Sequence, residues 1–177
     1  MGISHIALAV KDIEATHRFY TDVMGFSLVK VEIVPQGDAF ARHVFYSTGP
    51  DKDQLIAFWD LSAVRDASDL KTAISRDLGL DPLTNHIAFQ ADSVDDLEVR
   101  KRRWLEAGCD VLEIDHGWIK SVYTEDPDRI TIEFAVLTRP FSDADAEQAI
   151  DLLRDPTPPL PERLPRVRFH RAKDPTP

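Results

Sequence analysis

Three side chains could do chemistry together: His5, His86 and Glu133. Two imidazoles and one carboxylate, arriving from separate backbone segments and leaving positions open, are the ligand set of a facial metal triad. The two histidines belong to a repeat. His5-Ile6-Ala7 and His86-Ile87-Ala88 lie 81 residues apart, and the stretches that follow them echo one another. A repeat sets equivalent residues at equivalent points of two similar units, so pseudo-symmetry is expected to bring His5 and His86 together. Around Glu133, alternation puts Ile132, Phe134 and Val136 on one face and Thr131, Glu133 and Ala135 on the other. Burying that carboxylate unpaired would cost on the order of several kcal/mol, and a divalent ion would remove the cost. Ala7, Ala9, Ala88 and Ala135 share faces with the expected ligands and leave room for a substrate.

The elements that must position these residues follow from periodicity. Each histidine opens a short alternating strand, with Ile6, Leu8 and Val10 opposing His5, Ala7 and Ala9, and Ile87 and Phe89 opposing His86 and Ala88. A helix follows each strand. In the first copy Asp12 caps it, Ile13, Phe19, Tyr20 and Val23 form its apolar face, and Gly25 ends it. In the second Ser93 caps, Leu97, Trp104 and Leu105 pack, and Gly108 ends. Three strands complete each copy, at about 27–34, 40–48 and 54–61, and again at about 111–114, 119–123 and 130–137. The expected class is α+β: two βαβββ modules of mixed sheet, with a C-terminal helix and tail. The first module spans 1–61, a connecting segment 62–84, the second module 85–138, and the C-terminal helix and Pro-rich tail 139–177. The connecting segment is predicted to carry a helix over 67–78, and a short amphipathic helix is predicted over 143–153. The tail, with Arg163, Arg166, Arg168, Arg171 and Lys173, is expected to be extended, on a partner subunit or disordered.

Two βαβββ copies, each opened by a histidine and the second closed by a glutamate, resemble the vicinal oxygen chelate superfamily. That superfamily includes glyoxalase I, bleomycin-resistance proteins and type I extradiol dioxygenases. The resemblance covers about residues 3–137 and implies a cupped sheet around one divalent ion held by His5, His86 and Glu133. The stretch from His116 through Tyr123 and Asp126-Pro127-Asp128-Arg129 to Glu133 is similar to the extradiol dioxygenase signature. It departs at Arg129, where that family usually has Gly or Pro. Arg129 therefore implies a different turn, or a side chain used near the pocket to bind substrate. Glyoxalase I has a fourth ligand, a glutamate late in the first module. Matching Asp53-Gln54-Leu55-Ile56-Ala57-Phe58 to residues 128–133 puts Phe58 in that place, which argues for an open triad.

The same resemblance gives Tyr123 and His116 catalytic roles at a substrate hydroxyl and at bound oxygen, against readings as a strand-capping tyrosine and a solvated loop histidine. Extradiol enzymes carry an acid/base histidine near the place of Asp53-Gln54, and neither residue is His. His43 is the one histidine nearby in sequence; it either substitutes as a proton-transfer group or bonds locally in its strand. Trp118 is the candidate to stack on an aromatic substrate. His17 and His170 read as solvated.

Composition narrows the setting. The 177 residues are 43% hydrophobic and 29% charged, an ordinary globular balance with enough apolar residues for a core. The net charge of −10 repels phosphate backbones, so no nucleic-acid partner is expected. No apolar run reaches the roughly 20 residues of a membrane span, and the start lacks the basic flank of a signal peptide. A lone cysteine, Cys109, forms no intramolecular disulfide and suits a reducing, cytoplasmic compartment. Three functions remain open. One is an extradiol-type dioxygenase using Fe(II) or Mn(II) on a catechol-like substrate. The second is a glyoxalase-like lyase or isomerase using Ni, Zn or Co on an α-oxo substrate. The third is a small-molecule binding protein without catalysis. A homodimer is the assembly the resemblance implies.

Overall fold

The computed structural model describes residues 2–49 and 54–172, so Asp53 and Lys173 lie outside it. The first copy runs β1 (His5–Val10), α1 (Ile13–Arg18), β2 (Ser27–Gln36), β3 (Ala39–Ser47) and β4 (Leu55–Asp60). The second runs β5 (His86–Gln90), α2 (Val94–Glu106), β6 (Val111–Asp115), β7 (Ile119–Glu125) and β8 (Thr131–Leu137). Then come α3 (Asp143–Arg154) and β9 (Arg166–His170). The strands form two sheets, ordered β1-β4-β3-β2 and β5-β8-β7-β6-β9, hereafter sheets A and B. Each is mixed, because the outer β1 and β5 run parallel to β4 and β8 while the other pairs are antiparallel. Among the described residues no helix is long and apolar enough to cross a membrane.

Local chemistry explains the helices. The Asp12 carboxylate accepts from the backbone N–H groups of Glu14 and Ala15 at 2.9 and 3.0 Å, which answers two of the first orphan donors of α1. After Arg18 the chain widens into a π turn over Phe19–Val23, which buries Phe19 and Tyr20. The chain then leaves the helix at Gly25, at φ 79°, and a Cβ there would fall 2.4 Å from the Arg103 guanidinium. Ser93 caps α2 by accepting from Asp96 N–H at 3.1 Å, and α2 buries Leu97, Lys101 and Trp104 on one stripe.

One apolar core lies between the two modules. Val10, Phe19, Tyr20, Val44, Tyr46, Ile56 and Phe58 meet Ile87, Leu97, Trp104, Val122, Ile132 and Phe134 there. Complete burial of such side chains contributes about 1.5–3 kcal/mol each. Phe26 and Phe89 join the halves edge to face with centroids 5.0 Å apart. Polar ties reinforce the joint. Arg103 donates to Asp22 O at 2.7 Å, and the Tyr20 hydroxyl donates to Asp126 at 3.0 Å. Each sheet thus turns one face to the common core and the other outward.

Three expectations are corrected. The helix predicted over 67–78 is absent; two single 3-10 turns, Ala67–Asp69 and Arg76–Leu78, stand there instead. Side chains capture the backbone donors: Asp66 accepts from Ser68 N–H and Asp77 from Ala73 N–H. The tail does not simply lie extended on a partner or in disorder. Arg166-Val-Arg-Phe-His170 alternates with period two and pairs antiparallel with β6, whose edge would otherwise be open. His17 and His170 are not simply solvated either. His17 Nδ1 lies 3.0 Å from the Tyr46 hydroxyl, and His170 Nε2 lies 2.8 Å from Glu113.

Arg129 keeps the turn that the resemblance associates with glycine. Its φ is 63°, and its side chain, well exposed, pairs with Glu125 at 3.3 Å. The left-handed conformation costs an L-residue about 1–2 kcal/mol. Arg129→Gly is therefore expected to be tolerated without loss of stability in chemical denaturation, whereas the β-branched Arg129→Val loses about 1–2 kcal/mol.

The joint between the modules also carries a pH dependence. Burial pushes the Asp126 carboxyl up to about 7, opposed by backbone N–H donation from Ile130 and raised further by Asp128. A folded-state value above the unfolded one stabilises the fold at low pH, and that contribution is lost as pH rises through about 7. Each unit of difference is worth about 1.4 kcal/mol. The melting temperature is expected to fall as pH rises from about 4 to about 7, between the ordinary carboxylate value and the folded one, and to level off above that; Asp126→Asn is expected to flatten that fall in calorimetry.

Candidate metal centre

The outward face of sheet B holds His86 and Glu133. Glu133 pairs in register with Ala88 on β5 and with Tyr123 on β7, and all three share a face with His86. His86 Nε2 lies 2.9 Å from Glu133 Oε2, and Glu133 is only 4% exposed. The second ring nitrogen is engaged too: His86 Nδ1 lies 2.8 Å from the Leu83 carbonyl oxygen. A carbonyl only accepts, so Nδ1 carries the proton and donates it. In a neutral ring this leaves an unprotonated Nε2 2.9 Å from a carboxylate oxygen. Two acceptors at that distance need a proton, on the ring or on the carboxyl, or a cation between them. Donation of the far N–H to a backbone carbonyl is also how metal-ligating histidines are oriented. The donor set therefore fits a divalent ion.

Tyr123 stands beside this pair, its ring 5.9 Å from that of His86 in an edge-to-face arrangement. Burial pushes its phenol up to about 12, with the Glu133 carboxylate adding to the shift. The hydroxyl therefore keeps its proton at neutral pH and can donate to an oxygen bound at the site.

His5 occupies the matching place on sheet A. It pairs with Leu55, and Ala7 and Ala9 pair with Ala57 and Trp59, on the outward face. Its Nδ1 lies 2.9 Å from Ser4 Oγ, which leaves Nε2 for another partner. His43 shares the face, 6.4 Å from His5 between ring centroids. It stacks on Trp59 at 3.9 Å with only 10° between planes. Burial lowers the His43 pKa, outweighing Glu32, and His43 Nε2 has no hydrogen-bond partner.

Among the described residues of one chain, no group of three His, Cys, Asp or Glu side chains is placed to hold a metal. The structure brings together His86, Glu133 and Tyr123 on sheet B, and His5 with His43 on sheet A. It does not bring His5 to His86 within one chain, because the common core separates the two outward faces. His116 and Trp118 sit in the β6–β7 turn, with Trp118 against Phe141 at 5.3 Å. Trp118 is five residues along the strand from Tyr123, on the order of 17 Å. Arg129 lies at the opposite end, in the β7–β8 turn. Sequence reasoning missed Leu83, whose carbonyl fixes the His86 tautomer; a loop carbonyl leaves no mark in residue types.

The register also corrects one correspondence. His5 pairs with Leu55 as His86 pairs with Thr131, so Glu133 matches Ala57 and not Phe58. Phe58 instead matches Phe134, and both are buried in the core. The gapless match was displaced by one residue, which reverses the face of every side chain. No carboxylate stands at the corrected position either, so the open set of three remains the reading.

Comparison with known proteins bears on the fold. The family description that matches residues 2–134 is the Glyoxalase/Bleomycin resistance protein/Dioxygenase superfamily. Solved structures of similar fold include a glyoxylase/bleomycin resistance protein/dioxygenase domain from Frankia sp. EAN1pec, 20% identical, covering 77% of this chain and 98% of that one, with TM-score 0.58. The fosfomycin resistance protein FosX from Listeria monocytogenes, complexed with Mn(II) and sulfate, is 20% identical over 77% of this chain and 93% of that one, with TM-score 0.53. Lactoylglutathione lyase from Agrobacterium tumefaciens is 22% identical over 76% of this chain and 92% of that one, with TM-score 0.51. No curated protein sequence matches the chain. The paired βαβββ modules and the match over residues 2–134 together place this chain in the Glyoxalase/Bleomycin resistance protein/Dioxygenase superfamily, the vicinal oxygen chelate fold.

Proposed function

We propose that the chain is a divalent-metal enzyme whose site is completed between two copies, with His86 and Glu133 of one chain meeting His5 of the partner subunit. The observation that carries this reading is the 2.9 Å approach of His86 Nε2 to Glu133 Oε2 with Nδ1 held by a carbonyl. Three further features support it. The repeat makes His5 the counterpart of His86, yet each faces outward on its own sheet. Edge strand β2 exposes Leu28, Val31 and Ile33, an apolar surface suited to a second copy, which register sets on the face opposite His5 and His43. FosX, of the same fold, is complexed with Mn(II).

Bound there, an ion such as Mn(II), Fe(II), Ni, Zn or Co would polarise a substrate oxygen as a Lewis acid. The remaining work falls to the chain. Tyr123 donates a hydrogen bond to a substrate oxygen beside Glu133. His43, beside His5 and with an unpartnered ring nitrogen, takes up or delivers a proton. Ala7, Ala57, Ala88 and Ala135 leave the space a small molecule needs. This set suits lyase, isomerase or addition chemistry on an oxygen-rich small molecule such as an α-oxo compound. Extradiol cleavage of a catechol-like substrate is a second reading, favoured by Tyr123 at its signature position beside the His86–Glu133 pair. It is weakened by His116, which is far along the sheet from that pair.

Metal content tests the site. Protein purified without chelator is expected to hold about one divalent ion per chain, lost in His5→Ala and in Glu133→Ala. Co-refolding those two variants is expected to recover about a quarter of the wild-type content, since statistical pairing leaves one intact site in half the dimers. Recovery of none would place the whole site within one chain. Oxygen uptake with catechols on iron-loaded protein would move the reading to the dioxygenase; its absence, with turnover of an α-oxo substrate, would hold it at the lyase.

A further inference from the structure

The C-terminal strand lies outside the stretch that matches the superfamily, yet it is built onto the face that carries the site. Register places Ala88, Glu133, Tyr123, Leu112 and Phe169 in a single row across sheet B. A second row runs Gln90, Ala135, Ser121, Ile114 and Val167. Both rows end on β9. Three strand spacings of about 4.8 Å separate Phe169 from Glu133, on the order of 14 Å.

The alternation of β9 runs opposite to that of an ordinary edge strand. Its apolar residues, Val167 and Phe169, face outward with the site and are each 60% exposed. Its polar residues, Arg166, Arg168 and His170, take the other face. This orientation is locked. His170 Nε2 and Lys101 Nζ both reach Glu113 Oε2 at 2.8 Å, and Ala172 N–H donates to Asp110 at 2.8 Å. A slip of one residue would reverse the faces, and these bonds oppose it. Beside the Tyr123, Leu112 and Phe169 end of the first row lies a cavity of about 600 Å³, whose walls also include Leu83, Cys109 and Thr131 but not His86, Ala88 or Glu133. Tyr123 is shared: it borders the cavity and stands against His86. Arg76 and Glu125, paired with one another, are also among its walls.

We propose that β9 is the distal wall of the site, and that the molecule bound at His86 and Glu133 carries an apolar arm running over Tyr123 and Leu112 to Phe169. This rests on the metal reading above and adds the shape of the ligand: an oxygen-bearing head with a linear or aryl apolar tail. Phe169 is then a specificity-determining residue from a segment that the family match does not include.

The probes are alkyl hydroxamates, whose head chelates a metal and whose tail can be lengthened from aceto- through butano-, hexano- and octano- to decanohydroxamate. Binding to the full Mn(II)-loaded chain is followed by titration calorimetry. In wild type, affinity is expected to rise with tail length, approaching about fourfold per buried methylene. Phe169→Ala is expected to leave acetohydroxamate unchanged and to weaken decanohydroxamate about tenfold, with Val167→Ala acting in the same direction. Phe169 is well exposed, so truncation leaves the core intact, and Phe169→Leu is expected to restore most of the long-tail affinity. No gain with tail length, or equal weakening of short and long probes by Phe169→Ala, would overturn the inference while leaving the metal site standing. So would a Phe169→Ala variant that turns a dimer into a monomer with unchanged tail dependence, which would make the patch a subunit contact. Failure of acetohydroxamate to bind, or equal binding by Glu133→Gln, would remove the metal reading itself and this inference with it.

Discussion

A carboxylate buried on a sheet face must be answered by positive charge or by donors, and Glu133 is answered by His86 from the neighbouring parallel strand. The rest of the site follows from that pair. Parallel registry of β5 and β8 sets the imidazole and the carboxylate on one face. Antiparallel registry of β7 brings Tyr123 beside them. The Leu83 carbonyl holds the imidazole turned so that Nε2 confronts the carboxylate. The His86–Glu133 contact costs stability unless a proton or a cation lies between the two acceptors.

The same sheet is held in place from behind. Ile132 and Phe134 alternate with Glu133 and point into the core shared by the two modules, where they meet Trp104 and the first module's aromatic residues. Packing the modules through this core leaves their outward faces apart. His5, the repeat counterpart of His86, is thereby assigned to a separate surface, with His43 and Trp59 for neighbours. In the proposed reading the two outward faces are half-sites that a second copy completes, since a two-fold axis brings unlike halves together twice.

The C-terminal segment shows how an addition can complete an existing sheet. Once β8 and β7 are paired, the edge of β6 offers unsatisfied backbone groups, and β9 takes them up. The buried Glu113, answered by both Lys101 and His170, decides which side of β9 faces out. Fold likeness to metal-bound and lyase structures at about one-fifth identity speaks for the scaffold; chemistry on such a scaffold is decided by side chains of this kind.

Much of the molecule was legible from residue order alone, because the relevant signals are local. Alternation with period two located the strands, Asp12 and Ser93 marked the helix starts, and the repeated His-Ile-Ala exposed the two modules. Parity around Glu133 already divided core from open face. What the chain order did not carry was register and juxtaposition. A one-residue displacement put Phe58 where Ala57 stands, since local similarity between two strands does not say how each pairs with its neighbour. The predicted helix over 67–78 failed because Asp66 and Asp77 captured backbone donors, and β9 escaped notice because its partner edge lies more than fifty residues away. Residue types and spacing thus determined which side chains could bind a metal and which faces they take. Only the tertiary structure decided that His86 and Glu133 meet while His5 faces elsewhere, because that depends on the packing of two modules through a shared core, a long-range property that no local pattern encodes.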